Sequence, residues 1–385
     1  MKKVDLKNES YKDYMARVSG ERIPAYEPDL GIEELKLLED VIKSNWISEG
    51  KYVRQFEEEL SISCNRKYAL AFNNCTAALI TGMKSMGIGK GNDVIVQSLV
   101  HSADPNSISA TGANPVFAEV DQKTLCLTKE TIENVRTKNT KAVLYVSLYG
   151  NTSDLDEITK YCQENNLILI NDCAPAIFGT FKDNPIASYG DFSTLSFFSD
   201  KTITTGEGGM LLTNNNELIN ECNIYKHDGR RERGVDLIER KGFNYRITEM
   251  QAALGVAQLG KSKRFIDKKK ENYKMFSLLL NVINEVRVFN FNPDGDIVPH
   301  RNIIFVPESH SLIKHLVANG IGARTLFMPM HSQPCYDSKQ DFLITEKLYA
   351  TGVCLPSAPS LSSNDIKYIC NTIKEFYFHY LNISY

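Results

Sequence analysis

Residues 142–172, AVLYVSLYGNTSDLDEITKYCQENNLILIND, decide the fold. They open on Ala142-Val143-Leu144-Tyr145-Val146 and close around Leu167-Ile168-Leu169-Ile170, two short apolar runs with no polar break. A strand with one face in water alternates polar and apolar side chains, whereas an unbroken run suits a strand covered on both faces. Between the runs, Asp154 to Asn165 reads as a helix. Strand, helix, strand at this spacing predicts a parallel sheet whose crossovers are helices.

Working outward, Val94-Ile95-Val96 and Pro115-Val116-Phe117-Ala118 are further strand candidates. From Gly31 to Lys43, Ile32, Leu35, Leu38, Val41 and Ile42 keep helical spacing. Thr248-Glu249-Met250-Gln251 has the form of a capping box and opens a helix through Leu259. The basic run Lys261 to Lys270 continues it and is expected to be a solvated face. Short strands and helices then alternate. The expected division is an extension over 1–22, a large α/β domain with a mostly parallel sheet over 23–255, and a smaller C-terminal α+β domain over 256–385.

The 385 residues are 42% hydrophobic and 24% charged, the balance of a globular chain. A net charge of −3 offers no general attraction to nucleic acid or to an anionic membrane, so any phosphate must be held locally. No apolar run is long enough to span a membrane, and residues 1–5 carry no signal-peptide core. Nine cysteines without a C-x-x-C pair, with Cys64, Cys162 and Cys370 in apolar segments, fit reduced core residues. The expected setting is cytoplasmic, without a metal site.

The densest chemical signal is Ser196-Phe197-Phe198-Ser199-Asp200-Lys201-Thr202-Ile203-Thr204-Thr205-Gly206-Glu207-Gly208-Gly209-Met210. A lysine among hydroxyls and glycines just after an apolar strand fits either a ligand-binding loop or a plain Gly-rich turn. No Gly-Lys-Ser/Thr follows at the spacing of a Walker loop. Asp172 adds a second signal, at the carboxyl end of the run Leu167 to Ile170, where open α/β sheets bind ligands. A carboxylate and a lysine 29 residues apart on successive strand ends suit pyridoxal phosphate chemistry. The carboxylate keeps the pyridine nitrogen protonated, and the lysine binds the cofactor and moves the proton.

The Lys201 segment, Asn171-Asp172-Cys173-Ala174, and Gly242-Phe243-Asn244-Tyr245-Arg246-Ile247-Thr248-Glu249-Met250-Gln251-Ala252-Ala253 resemble the DegT/DnrJ/EryC1/StrS sugar aminotransferases. The likeness runs from Trp46-Ile47-Ser48-Glu49-Gly50 to Leu355-Pro356-Ser357, nearly the whole chain. It implies a fold-type-I homodimer with active sites shared across the interface. Asp172 would face the pyridine nitrogen and Lys201 would hold the cofactor covalently. Ser196, with Thr76 and Ala77 at a helix N-terminus, would hold the phosphate. Asn244 would reach that phosphate from the neighbouring subunit, and His331 and Arg246 are carried as substrate-facing candidates.

The implied reaction moves an amino group from L-glutamate, through the pyridoxamine phosphate form, to a nucleotide-linked 4-keto-6-deoxy sugar for polysaccharide synthesis. Amination of a smaller phosphorylated ketone, such as a triose phosphate, is the alternative. Dehydratases of the family carry His where this chain has Lys201, and a non-catalytic regulator would not need both Asp172 and Lys201. Three positions depart from the family pattern. Cys75 stands for a glycine before the phosphate helix, His101 for the aromatic that stacks on the pyridine, and Pro175 for a Gln or Glu that meets the phenolic oxygen.

Overall fold

The computed structural model describes residues 20–383, apart from 233, 337 and 339 and the side chains beyond 378. The expected extension over 1–22 therefore lies almost wholly outside the described residues. Among them, no helix is long and apolar enough to cross a membrane.

The 142–172 unit folds as its pattern dictates. Strands β4 (Thr140–Val146) and β5 (Ile168–Asp172) pair in parallel and are joined through helix α6 (Leu155–Glu164). Asp154 caps that helix by accepting from the Glu157 amide at 3.0 Å. The absence of alternation now has its reason. Val143, Tyr145 and Leu169 belong to one buried apolar cluster, while Ala142, Leu144, Val146 and Ile170 belong to another. Each fully buried Val or Ile of such a strand contributes on the order of 2 kcal/mol.

The remaining strands are β1 (Tyr68–Phe72), β2 (Asp93–Gln97), β3 (Asn114–Ala118), β8 (Phe192–Ser196) and β9 (Gly209–Thr213). A short hairpin, β6 (Thr180–Phe181) and β7 (Asn184–Pro185), stands apart from the sheet. The seven-stranded order is β1-β9-β8-β5-β4-β2-β3. From β8 to β3 every pairing is parallel, and only β9 runs against its neighbours. The helices that matter to the site are α1 (Ile32–Ser44), α2 (Lys51–Ser63), α3 (Cys75–Ser85), α4 (Ala103–Thr111), α7 (Asn216–Lys226) and α8 (Glu249–Leu280); α5 (Lys129–Val135) completes this part.

Helix α8 starts at the expected capping box, in which Thr248 accepts from the Gln251 amide and Gln251 accepts from that of Thr248. It runs 32 residues without a break, so the boundary expected near 255 falls inside it. Its basic run is mostly solvated and paired, as in Lys263–Asp267 at 2.9 Å and Lys270–Asp296 at 2.6 Å. Lys269 departs from that expectation: it is buried, and desolvation with the Arg301 charge lowers its pKa to about 7.

A second, antiparallel sheet orders β10 (Arg287–Val288), β11 (Asn302–Phe305), β13 (Gly352–Leu355) and β12 (Arg324–Thr325). Helices α9 (Ser309–Ala318), α10 (Leu343–Thr351) and α11 (Ser363–Ile383) accompany it. Ile23 joins the apolar cluster of this sheet and bridges to Ile321, while the Arg22 amide donates to Gly320 at 2.7 Å. Residues 22 and 23 thus pair with the turn after α9 and pack against the C-terminal elements.

All nine cysteines are free, and desolvation raises the thiols of Cys64, Cys162 and Cys370 to about 12 each. These three are buried core residues, whereas Cys335 is exposed.

Candidate active site

The carboxyl ends of β1, β2, β4, β5 and β8 open on one side of the sheet, around a cavity of about 380 Å³. Its lining includes Thr76, His101, Asp172, Ser196 and Lys201. Five candidates named from sequence therefore meet in one place.

Asp172 ends β5 and is 4% exposed. Its Oδ1 accepts from Thr194 Oγ1 at 3.0 Å and from the Ala174 amide at 2.9 Å. Cys75 Sγ lies 3.7 Å from the same oxygen. Burial holds the Cys75 thiol well above its ordinary pKa, so it stays a neutral weak donor. The departure at Cys75 is thus absorbed as a contact with Asp172.

Lys201 lies on the loop from β8 to β9. The hydroxyls and glycines there tie that loop together: Thr204 Oγ1 donates to Phe197 O at 3.0 Å and Thr205 Oγ1 to Glu207 O at 2.6 Å. Gly206 takes φ +81°. A Cβ on Gly209 would sit 2.5 Å from the backbone of Asn74 and Cys75, so only glycine lets the start of α3 come so close to the sheet.

Lys201 Nζ is 3.5 Å from Asp200, which also meets Arg324 at 3.7 Å, His300 at 3.9 Å and Arg301 in direct contact. Burial alone would raise the Asp200 carboxyl; Lys201, His300 and Arg301 instead hold it well below the carboxylate range. Burial, then Lys201 and Arg301, push His300 far down, so it is neutral. Sequence reasoning left out Asp200, His300 and Arg324, since their convergence joins two sheets.

At the start of α3, Asn74 Oδ1 accepts from the Ala77 amide at 2.8 Å. That corrects the expectation for Ala77, whose amide is spent on the cap and which does not line the cavity. The Cys75 and Thr76 amides precede it in the first turn, where no helical partner exists, and Thr76 and Ser196 line the cavity. The residues present fit pyridoxal phosphate: its phosphate would lie at the start of α3, Asp172 would face its ring nitrogen and Lys201 would meet its carbonyl carbon. Among the described residues no His, Cys, Asp and Glu cluster fits a metal ion.

His101 stands edge-on to Phe327, with ring centroids 5.4 Å apart, and Phe327 stacks on Tyr149 at 5.5 Å. Tyr149 holds φ 56°, a costly backbone for a non-glycine residue, and its hydroxyl accepts from the Phe327 amide at 3.0 Å. Solvent reaches the His101 ring through the open cavity. Even so, the protein atoms around it, and then the Lys201 ammonium, push its pKa below the ordinary value of about 6.5. At neutral pH the imidazole is neutral, and it charges only as pH falls through that lowered value. Activity should fall with it on the acid side. His101→Phe should flatten that limb while keeping cofactor affinity, because an uncharged ring supplies the same contact area. Superimposable acid limbs in the two pH–rate profiles would remove His101 from the cofactor's face.

Three other candidates lie elsewhere. His331 does not line the cavity: it is 4% exposed, with Nδ1 2.6 Å from Ser98 Oγ and Nε2 3.2 Å from Glu346. Both ring nitrogens are thus engaged by protein groups on the turn Met330–Ser332 and its neighbours. Arg246 pairs with Asp228 at 2.8 Å in a second cavity, of about 790 Å³, with Glu49, Lys226 and His227. Asn244 bridges His227 on that side and is likewise absent from the lining around Lys201.

A reversed strand in an otherwise parallel sheet, with a lysine and a carboxylate lining one cavity at the strand ends, fits a fold-type-I enzyme that uses pyridoxal phosphate. Residues 28–374 match the DegT/DnrJ/EryC1/StrS aminotransferase family, and the chain belongs to it. A GDP-perosamine synthase of Escherichia coli O157:H7 is 36% identical over 365 residues, covering 92% of this chain and 98% of its own. The GDP-perosamine synthase of Vibrio cholerae is 35% identical over 374 residues, covering 92% and 99%. Among solved structures, the aminotransferase from Psychrobacter cryohalolentis aligns with a TM-score of 0.85 at 27% identity, covering 92% of this chain and 98% of that one.

Proposed function

We propose that this aminotransferase works in the cytoplasm, moving an amino group from L-glutamate to the keto carbon of a nucleotide-linked 4-keto-6-deoxy sugar. The GDP-linked 4-keto-6-deoxy hexose is the first substrate to test. The carrying observation is the cavity that joins Asp172, Lys201 and the start of α3, within a chain similar over 92% of its length to GDP-perosamine synthases.

The bound cofactor supplies an electron sink conjugated to the reacting carbon. The protein supplies the rest. Asp172, oriented by Thr194 and Ala174, holds the ring-nitrogen proton; the Cys75 and Thr76 amides with Ser196 hold the phosphate. Lys201 Nζ carries the proton to and from the substrate carbon. Arg324, 46% exposed at the side chain, faces the same cavity and offers an anion contact to the incoming substrate.

A half-reaction screen tests the reading. Protein loaded with pyridoxamine phosphate is offered GDP- and dTDP-linked 4-keto sugars and a triose phosphate, and the aldehyde spectrum is followed. Its return with the sugar and not the triose is expected; the converse overturns the sugar assignment.

The homodimer belongs to the same proposal. Trp46 (54% exposed), Leu237 (64%) and Ile238 (52%) are large exposed apolar residues, and Trp46 lines the cavity that holds Arg246. A partner subunit over this face would bring Asn244 towards the other copy's phosphate site. Mixing Lys201→Ala with Asn244→Ala protein should then regain activity, since one hybrid site is intact; no recovery despite subunit exchange argues for self-contained sites.

A further inference from the structure

Asp104 lies in the first turn of α4, where an acidic residue is ordinarily explained by the helix N-terminus. Its surroundings do not fit that explanation. The side chain is 1% exposed and lines the same cavity as Lys201 and Asp172. Its Oδ1 finds no donor among the described residues. The groups that face it are Asp172 from β5, Lys201 from the β8–β9 loop and the Cys75 thiol from α3.

Two carboxyls buried in the lining of one cavity are not readily both ionised, so the pair keeps one proton. Thr194 and the Ala174 amide donate to Asp172 and favour its anion. Asp104 has no comparable side-chain donor, and the proton resides there. Burial and then the Asp172 charge raise the Asp104 pKa well above the ordinary carboxyl value, with Lys201 opposing.

We propose that Asp104 is a second carboxyl of the cofactor site, a positioning residue that donates a hydrogen bond to Asp172 and fixes the anion facing the cofactor's ring nitrogen. The inference rests on the assignment of Asp172 to that nitrogen. It gives Asp172 a further donor beside Thr194, Ala174 and the weak Cys75 thiol, so the carboxylate is locked before the cofactor arrives. An asparagine at 104 keeps a donor but not a titrating proton; an alanine keeps neither.

The cofactor-free protein provides the test. Its infrared spectrum at neutral pH should show a protonated-carboxyl band that Asp104→Asn lacks and that shifts when pyridoxamine phosphate is added. The folded acid keeps a proton that the unfolded chain loses above about pH 4. Wild-type thermal stability should therefore decline relative to Asp104→Asn as pH rises from there to neutrality. Pyridoxamine phosphate should bind Asp104→Asn about as wild type and Asp104→Ala about tenfold more weakly, the loss expected for one hydrogen bond to a charged group. A wild-type spectrum without the band, or a folded Asp104→Ala protein that binds as wild type, overturns the proposal. If wild type itself fails to bind pyridoxamine phosphate, the cofactor assignment falls as well, a distinct outcome from an unaltered Asp104→Ala.

Discussion

Lys201→Ala should abolish turnover and remove the visible absorbance of the lysine–cofactor link. Among the described residues no other amine enters the cavity: Arg324 is a guanidinium that stays charged, and Lys269, though nearby in charge, donates to Ser357 O at 3.0 Å and is not in the lining. Loss of the group that moves the proton predicts a fall of at least about a thousandfold, roughly 4 kcal/mol of barrier. The fold should persist. Asp200 loses one neighbour at 3.5 Å but keeps Arg301, Arg324 and His300. Cofactor binding should also persist, because the start of α3, Ser196 and Asp172 are untouched. Turnover within about tenfold of wild type, in protein shown to bear the substitution, would overturn the assignment.

Asp172→Asn isolates charge from shape. The amide oxygen can still accept from Thr194 and Ala174, the two bonds that orient the side chain, so the folded structure should be retained. A neutral amide does not stabilise a protonated pyridine, and the electron sink is correspondingly poorer. The rate should fall by more than about tenfold, roughly 1.4 kcal/mol. A smaller loss, with cofactor bound, would reduce Asp172 to an anchor for the β5 end.

The central sheet was legible because burial on both faces leaves a simple trace. The expected run Ala142–Val146 misses only the first two residues of β4, and Leu167–Ile170 starts one residue before β5 and stops two short of its end. Asp172 was legible for a related reason, since it sits where a strand stops and stands out against the apolar run, while Lys201 stood out in the loop after β8 as a lysine among hydroxyls and glycines. Asp104 left no such trace, since Asp104-Pro105 in a helical first turn is an ordinary pattern. His331 misled in the opposite direction. A histidine after Met328-Pro329-Met330 reads as a cleft candidate, yet Ser98, 233 residues away, and Glu346, 15 residues on, take both its nitrogens. Asn244 and Arg246 follow a family motif, and nothing in their local pattern says which cavity they face. Arg246 is held in the second one by Asp228.

The setting of Asp200 bears on the order in which the protein can assemble during synthesis. Asp200 and Arg301 are 101 residues apart, and Arg324 comes later still. The parallel sheet needs nothing beyond β9 to pair its strands, so it can form while the ribosome is still making α8. The residue beside the reactive lysine cannot. Its countercharges arrive only with β11 and β12, after a long loop has closed. Until then a buried carboxylate and the Lys201 amine have mainly each other, and the amine is tethered to its neighbour. The last third of the chain therefore acts as a maturation step, and a nascent protein with a complete sheet is still an unfinished catalyst.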